Sequence, residues 1–148
     1  MPTSHIHQLE QILATEGLHS ALAFLNQQVT HRFTAIYRLD KTDLEIVELI
    51  DKISDPSTAP LSRVPFAQSF CELVVQDGSL ATSNSALDKK LDGRTYQGII
   101  ASYVGLPLMR PTGELFGSLC HYDYKEQPIS DDEFSFLQQA AVVLARSL

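Results

Sequence analysis

Cys120 and His121 stand side by side in a chain that has only two cysteines. An adjacent Cys-His pair can be a thiolate nucleophile with its base, half of a metal site, or a thioether anchor for a chromophore. The flanking residues, SLCHYD over 118–123, read as a strand, and a strand turns neighbouring side chains to opposite faces. Cys120 then shares a face with Phe116, Ser118 and Tyr122, and His121 shares the other with Leu115, Gly117 and Leu119. Unless a bulge intervenes, the pair cannot act as a dyad, and it reads as a buried thiol beside a polar-tipped strand histidine. The second thiol, Cys71, lies where a helix is expected to follow Phe66. In the first turn of that helix, the positive end of the dipole would lower its pKa; the structural alternative is a small core residue between Phe70 and Leu73.

The remaining residues with chemical potential are scattered. His5 and His7 are two apart on an expected helix and diverge, and His19, His31 and His121 show no zinc-ligand spacing. No metal site is expected. A haem would need one axial histidine, and His31 or His121 could serve; neither haem nor any other cofactor is expected. Lys89, Lys90 and Arg94 form the one cationic cluster that could meet a phosphate, and solvated loop lysines explain it equally well.

The chain must place these residues with 148 amino acids, 44% hydrophobic and 20% charged. That is an ordinary balance for one globular domain. A net charge of -7 opposes binding to nucleic acid or to an anionic membrane. No apolar run approaches the ~20 residues of a membrane helix, and MPTSHIHQLE is not a signal peptide. A reducing cytoplasm with both thiols free is expected.

Apolar residues at helical spacing (Ile6, Leu9, Ile12, Leu13) predict a first helix capped at Thr3 or Ser4 and broken at Gly17. Leu18, Leu22, Leu25 and Val29 predict a second. Alternation around Phe33, Ala35, Tyr37 and Leu39, a turn at 40–43, and 44–50 predict a hairpin over 32–52. Residues 54–64, with two prolines and three serines, read as a loop. A helix over 66–76, a short strand at 80–82 and a polar connection over 83–97 follow. Residues 99–108 form the strongest strand. Arg110-Pro111-Thr112-Gly113 suits a type I turn, 115–122 returns, and Pro107 requires an edge or bulge on its nitrogen side. Ser130-Asp-Asp-Glu133 is a capping box with Ile129 and Phe134 as a hydrophobic staple. Phe134, Leu137, Ala141 and Leu144 then line one face of the last helix. Antiparallel hairpins with helices at both chain ends make the class α+β.

SFCELVVQDGSLATSNSALD (69–88), IASYVGLPLMRPTGELFGSLCHYD (100–123) and the helix opening at PISDDEF together resemble a GAF domain over residues 17–148. The resemblance implies a PAS-related antiparallel sheet of five to six strands. Terminal helices would pack on one face, and loops over 54–97 would cover a pocket on the other. It implies one domain over 1–148, with 1–16 as a dimerisation or linker helix; no effector domain fits into these residues, which are expected to be either a stand-alone GAF protein or a piece of a longer receptor or cyclase. It also implies a bacterial, cytoplasmic sensor that binds an unidentified small molecule and signals through its terminal helices. Parity and the resemblance together nominate Tyr37, Phe66, Ser69, Phe70, Cys71, Tyr96 and Tyr103 as pocket residues.

Two alternatives stand beside the sensor: a ligand-free dimerisation module with a filled pocket, and a free methionine-(R)-sulfoxide reductase-like enzyme. Such reductases cluster several cysteines around the pocket, whereas here only Cys71 and Cys120 exist, at positions expected not to suit that chemistry, so no catalytic residue is nominated. Bilin-binding relatives carry their Cys-His before the next-to-last strands, not on the last one, so a bilin is not expected. No cyclic-nucleotide signature is found. Phe136, Val143 and Leu148 lie off the last helix's apolar stripe and motivate a homodimer through the terminal helices.

Overall fold

A computed structural model of the chain describes residues 2–53 and 62–148, with the side chains of residues 2–4 outside the description. Most of the loop expected at 54–64 lies outside the described residues. The elements are α1 (Pro2–Glu16), α2 (Leu18–Gln27), β1 (Phe33–Asp40), β2 (Asp43–Asp51), β3 (Arg63–Pro65), α3 (Phe70–Asp77), β4 (Leu80–Thr82), β5 (Ser102–Met109), β6 (Leu115–Asp123) and α4 (Asp131–Ala145). The strands form one antiparallel sheet in the order β3-β2-β1-β6-β5-β4.

Strand alternation divides the interior into two cores. On one face, Ile36, Val104, Leu106, Leu108 and Leu119 pack against Leu9, Leu22 and Leu25 of α1 and α2 and against Leu137 and Leu144 of α4. On the other face, Phe33, Ala35, Tyr37, Tyr103, Cys120 and Tyr122 pack against Phe70, Cys71 and Val74 of α3 and against Leu91 and Ile100. The expected α+β arrangement holds, with terminal helices on one face and α3 and the connecting strap over 83–100 on the other.

Local signals placed most elements. Gly17, at φ 98, separates α1 from α2. Ser130 accepts from Glu133 N at 3.1 Å while Glu133 accepts from Ser130 N at 3.0 Å, completing the capping box. Ile129 and Phe134 both pack on the helix-side core. Gly113 N donates to Arg110 O at 2.8 Å, closing the expected turn. Pro107 meets its requirement because β4 pairs with β5 only from Tyr103 to Gly105.

Five expectations need correction. First, α1 already runs from Pro2, so Thr3 and Ser4 fall in its first turn; proline suits that position because its missing N–H has no intrahelical partner there. Second, Arg63 and Val64, assigned to loop, join Pro65 in pairing with Asp43–Glu45 as an edge strand, a segment too short for periodicity to register. Third, α3 starts at Phe70 rather than Phe66. Gln68 adopts φ 66, and Ser69 caps the helix by accepting from Glu72 N at 3.2 Å. Fourth, β5 begins at Ser102 rather than Ile99, because Ile99 N and Ile100 N both donate to Tyr96 O at 3.0 Å in a turn. Fifth, Phe116 belongs to the helix-side core, not the face of Ser118 and Cys120. The register steps from Leu108↔Gly117 to Met109↔Leu115, and that bulge shifts the alternation by one residue.

Phe136 and Val143 are buried in the helix-side core, and Leu148 packs against it. The side chains that motivated a second copy are therefore satisfied within the chain, because the apolar stripe of α4 is wide enough to meet both the sheet and α1.

Candidate functional site

Six of the seven nominated residues, Tyr37, Ser69, Phe70, Cys71, Tyr96 and Tyr103, line one cavity of ≈ 40 Å³ between the sheet and α3. Phe66, the seventh, is half-buried and packs against the same core without lining the cavity. Sequence reasoning missed Leu44, Val64 and Ile100, and also Ser118, Cys120 and Tyr122. The last three were legible in principle, since alternation put them on one face of β6. What was lacking was the strand order that sets that face opposite Cys71.

Elements position these groups through two close approaches. The Tyr103 ring folds back over Gly105, where a Cβ would stand 2.7 Å from the phenol oxygen. At Gly117 a Cβ would fall 1.8 Å from the Tyr37 carbonyl oxygen, so only glycine lets β6 pass β1 where Tyr37 enters the cavity. Phe70 meets Tyr103 edge to face, with ring centroids 5.4 Å apart, a favoured aromatic geometry.

The cavity groups are weak acids held in their neutral forms. Cys71 sits at the second position of α3, yet burial pushes its thiol up to about 11, which the nearby Ser118 hydroxyl only partly offsets. This corrects the expected lowering: desolvation of a buried thiolate outweighs the dipole of an eight-residue helix. Burial likewise raises Cys120, Tyr37, Tyr103 and Tyr122. The Tyr37 and Tyr122 hydroxyls face each other at 3.5 Å. Ser69 Oγ donates to Phe66 O at 2.6 Å. Ser118 Oγ is buried with no hydrogen-bond partner of good geometry among the described residues.

The strap over 83–100 closes the rim. Ser85 Oγ donates to Ile100 O at 2.6 Å and accepts from Gly98 N at 2.8 Å, pinning the strap's two ends together. Arg94 Nη1 donates to Ser69 O at 3.2 Å and to Glu72 Oε1 at 2.5 Å. The Arg94 hydrogen bond holds the Glu72 carboxyl below its usual range, so this cation is already paired. Lys89 and Lys90 are exposed.

His121 lies on the far side of the sheet from Cys120, so the adjacent pair is no dyad. Asn26 Nδ2 donates to Thr34 Oγ1 at 2.8 Å, and Thr34 Oγ1 lies 2.6 Å from His121 Nδ1. The His121 ring stacks on His31 at 5.9 Å. Lys52 Nζ donates to His31 O at 2.6 Å and to Asn26 Oδ1 at 2.9 Å. Burial lowers His121 to about 3, with His31 and Lys52 adding repulsion. Neither histidine faces the cavity.

A family profile described as GAF domain matches residues 9–148. Among solved structures, the GAF domain of an Acinetobacter phosphoenolpyruvate-protein phosphotransferase is similar, with TM-score 0.78 and 16% identity over 98% of this chain and 90% of that one. So is the free methionine-R-sulfoxide reductase from Neisseria meningitidis in complex with its substrate, at 0.74 and 16% over 98% and 86%. The phycocyanobilin-bound GAF domain from a cyanobacterial phytochrome follows at 0.72 and 15% over 99% and 93%. No curated protein sequence matches this chain.

Proposed function

This chain belongs to the GAF domain family, and from that premise we propose that it is a sensory or regulatory domain that works by binding a small molecule rather than by catalysis. One observation carries the reading: residues from β1, α3, the strap and β5 converge on a single cavity where burial holds both thiols and the Tyr37, Tyr103 and Tyr122 phenols protonated. A nucleophile or general acid-base pair needs a group that titrates near the working pH, and both thiols are pushed away from it. The fold also offers a route for a signal. Tyr37 faces the cavity while its neighbour Ile36 packs against the terminal helices. A ligand that displaces β1 or the strap would therefore shift the sheet on which α1, α2 and α4 rest.

Two free buried thiols, with no helix among the described residues long and apolar enough to cross a membrane, fit the reducing cytoplasm the reading requires. Pairing of two copies through α4 stays within the proposal on narrower ground, the exposed Val142; a monomer by sedimentation at high concentration removes it.

The small cavity favours a second reading, a dimerisation module without a ligand. A screen of metabolites by amide chemical shifts separates the two. The sensor reading expects a saturable ligand that shifts residues 69–71 and 100–104 and also perturbs α4. If no compound shifts the cavity residues saturably, the module reading replaces it.

A further inference from the structure

Building on the ligand-binding reading above, we propose that the cavity is built for a small uncharged molecule, apolar over most of its surface, with one polar atom that the Ser118 hydroxyl hydrogen-bonds. Three features of the wall carry this. Among the described residues, no side chain lining the cavity bears a charge: the polar lining consists of Tyr, Ser and Cys groups. Arg94, the nearest guanidinium at the rim, is committed to Glu72 and to Ser69 O.

A charged ligand here would lose its hydration with no counter-ion in return, which costs several kcal/mol. The first turn of α3 does not rescue an anion. Cys71 sits in that turn, and its own negative form is strongly disfavoured. Ser118 supplies the specific contact. It lies at Tyr37 in the β1–β6 register, it is fully buried, and its Oγ is without a good partner. Burying an unsatisfied hydroxyl is unfavourable, and a ligand atom that pairs with it removes that cost. The cavity of ≈ 40 Å³ holds about one to three water-sized groups as it stands, so a larger ligand, the five-carbon rings below included, enters only as the surrounding wall shifts.

The test is a titration of the isotopically labelled chain with cyclopentanol, cyclopentane, cyclopentylammonium and cyclopentanecarboxylate, followed at the amides of Cys71, Tyr103, Ser118 and Cys120. Cyclopentanol and cyclopentane are expected to shift these residues saturably, and each ion to bind at least about 100-fold more weakly. Ser118→Ala is expected to weaken cyclopentanol by about 3–10-fold and to leave cyclopentane unchanged. The variant removes a buried hydroxyl that, among the described residues, has only the weakly interacting Cys71 thiol beside it, so its fold is retained. Either ion binding the cavity as tightly as the alcohol overturns the inference while leaving the ligand-binding reading intact. Equal affinity of the alcohol for both proteins overturns the role of Ser118. If none of the four probes binds, the inference falls; the reading beneath it falls only if the wider metabolite screen is also empty.

Discussion

Cys71 and Cys120 show how far burial governs chemistry at a single side chain. Position on α3 argued for an activated thiol, but a buried thiolate gives up more hydration energy than one helix turn returns. Both thiols are therefore expected to resist a disulfide reagent such as Ellman's at pH 8 in the native protein and to react at once in denaturant. Fast labelling of Cys71 under native conditions would show a reactive thiol and reopen catalysis. Gly117 is the other residue whose role is set by distance. Its absent Cβ would meet backbone, the Tyr37 carbonyl oxygen at 1.8 Å, which has no rotamer to escape into. Gly117→Ala is expected to cost about 3 kcal/mol, seen as a lowered urea midpoint, whereas a near-neutral result would mean that β1 and β6 adjust freely.

Elements carry two further expectations. Helix α4 is fixed at its start by the Ser130 capping box, and Ser130→Ala should cost about 1 kcal/mol, measurable by thermal unfolding. The strap is held to α3 by Arg94, and Arg94→Leu frees both Glu72 and Ser69 O. Amide hydrogen exchange at Thr95 and Gly98 is then expected to quicken while exchange in β6 stays slow, because the strap opens without unfolding the sheet. Unchanged protection at Thr95 would show that Leu91 and Ile100, buried in the pocket-side core, suffice to hold the strap.

At the scale of the whole molecule, the stacked histidines tie stability to pH. His121 is lowered to about 3, and burial lowers His31 with partial relief from Asp123 and Glu133. In the unfolded chain both bind a proton near pH 6.5, while the folded chain keeps them neutral. Stability is therefore fully present above about 6.5 and falls as pH drops toward 3, by at most about 1.4 kcal/mol per pH unit for each histidine. Urea midpoints from pH 7.5 to 4 should trace this decline, and His121→Gln should flatten it; a flat profile in the parent would mean the rings are hydrated. Much of the fold was readable along the chain because its signals are local: apolar spacing for α1 and α2, alternation in β1 and β5, the capping box of α4, the turn at 110–113. The same alternation separated Cys120 from His121, and together with family resemblance it named six of the cavity residues. Strand order was not readable. Only the antiparallel pairing of β1 with β6 set Ser118, Cys120 and Tyr122 opposite α3 and joined two thiols, distant in sequence, at one cavity. The bulge that turned Phe116 away and the desolvation that raised Cys71 are likewise tertiary. Each depends on what the rest of the chain packs around a residue, and no spacing along one segment encodes that.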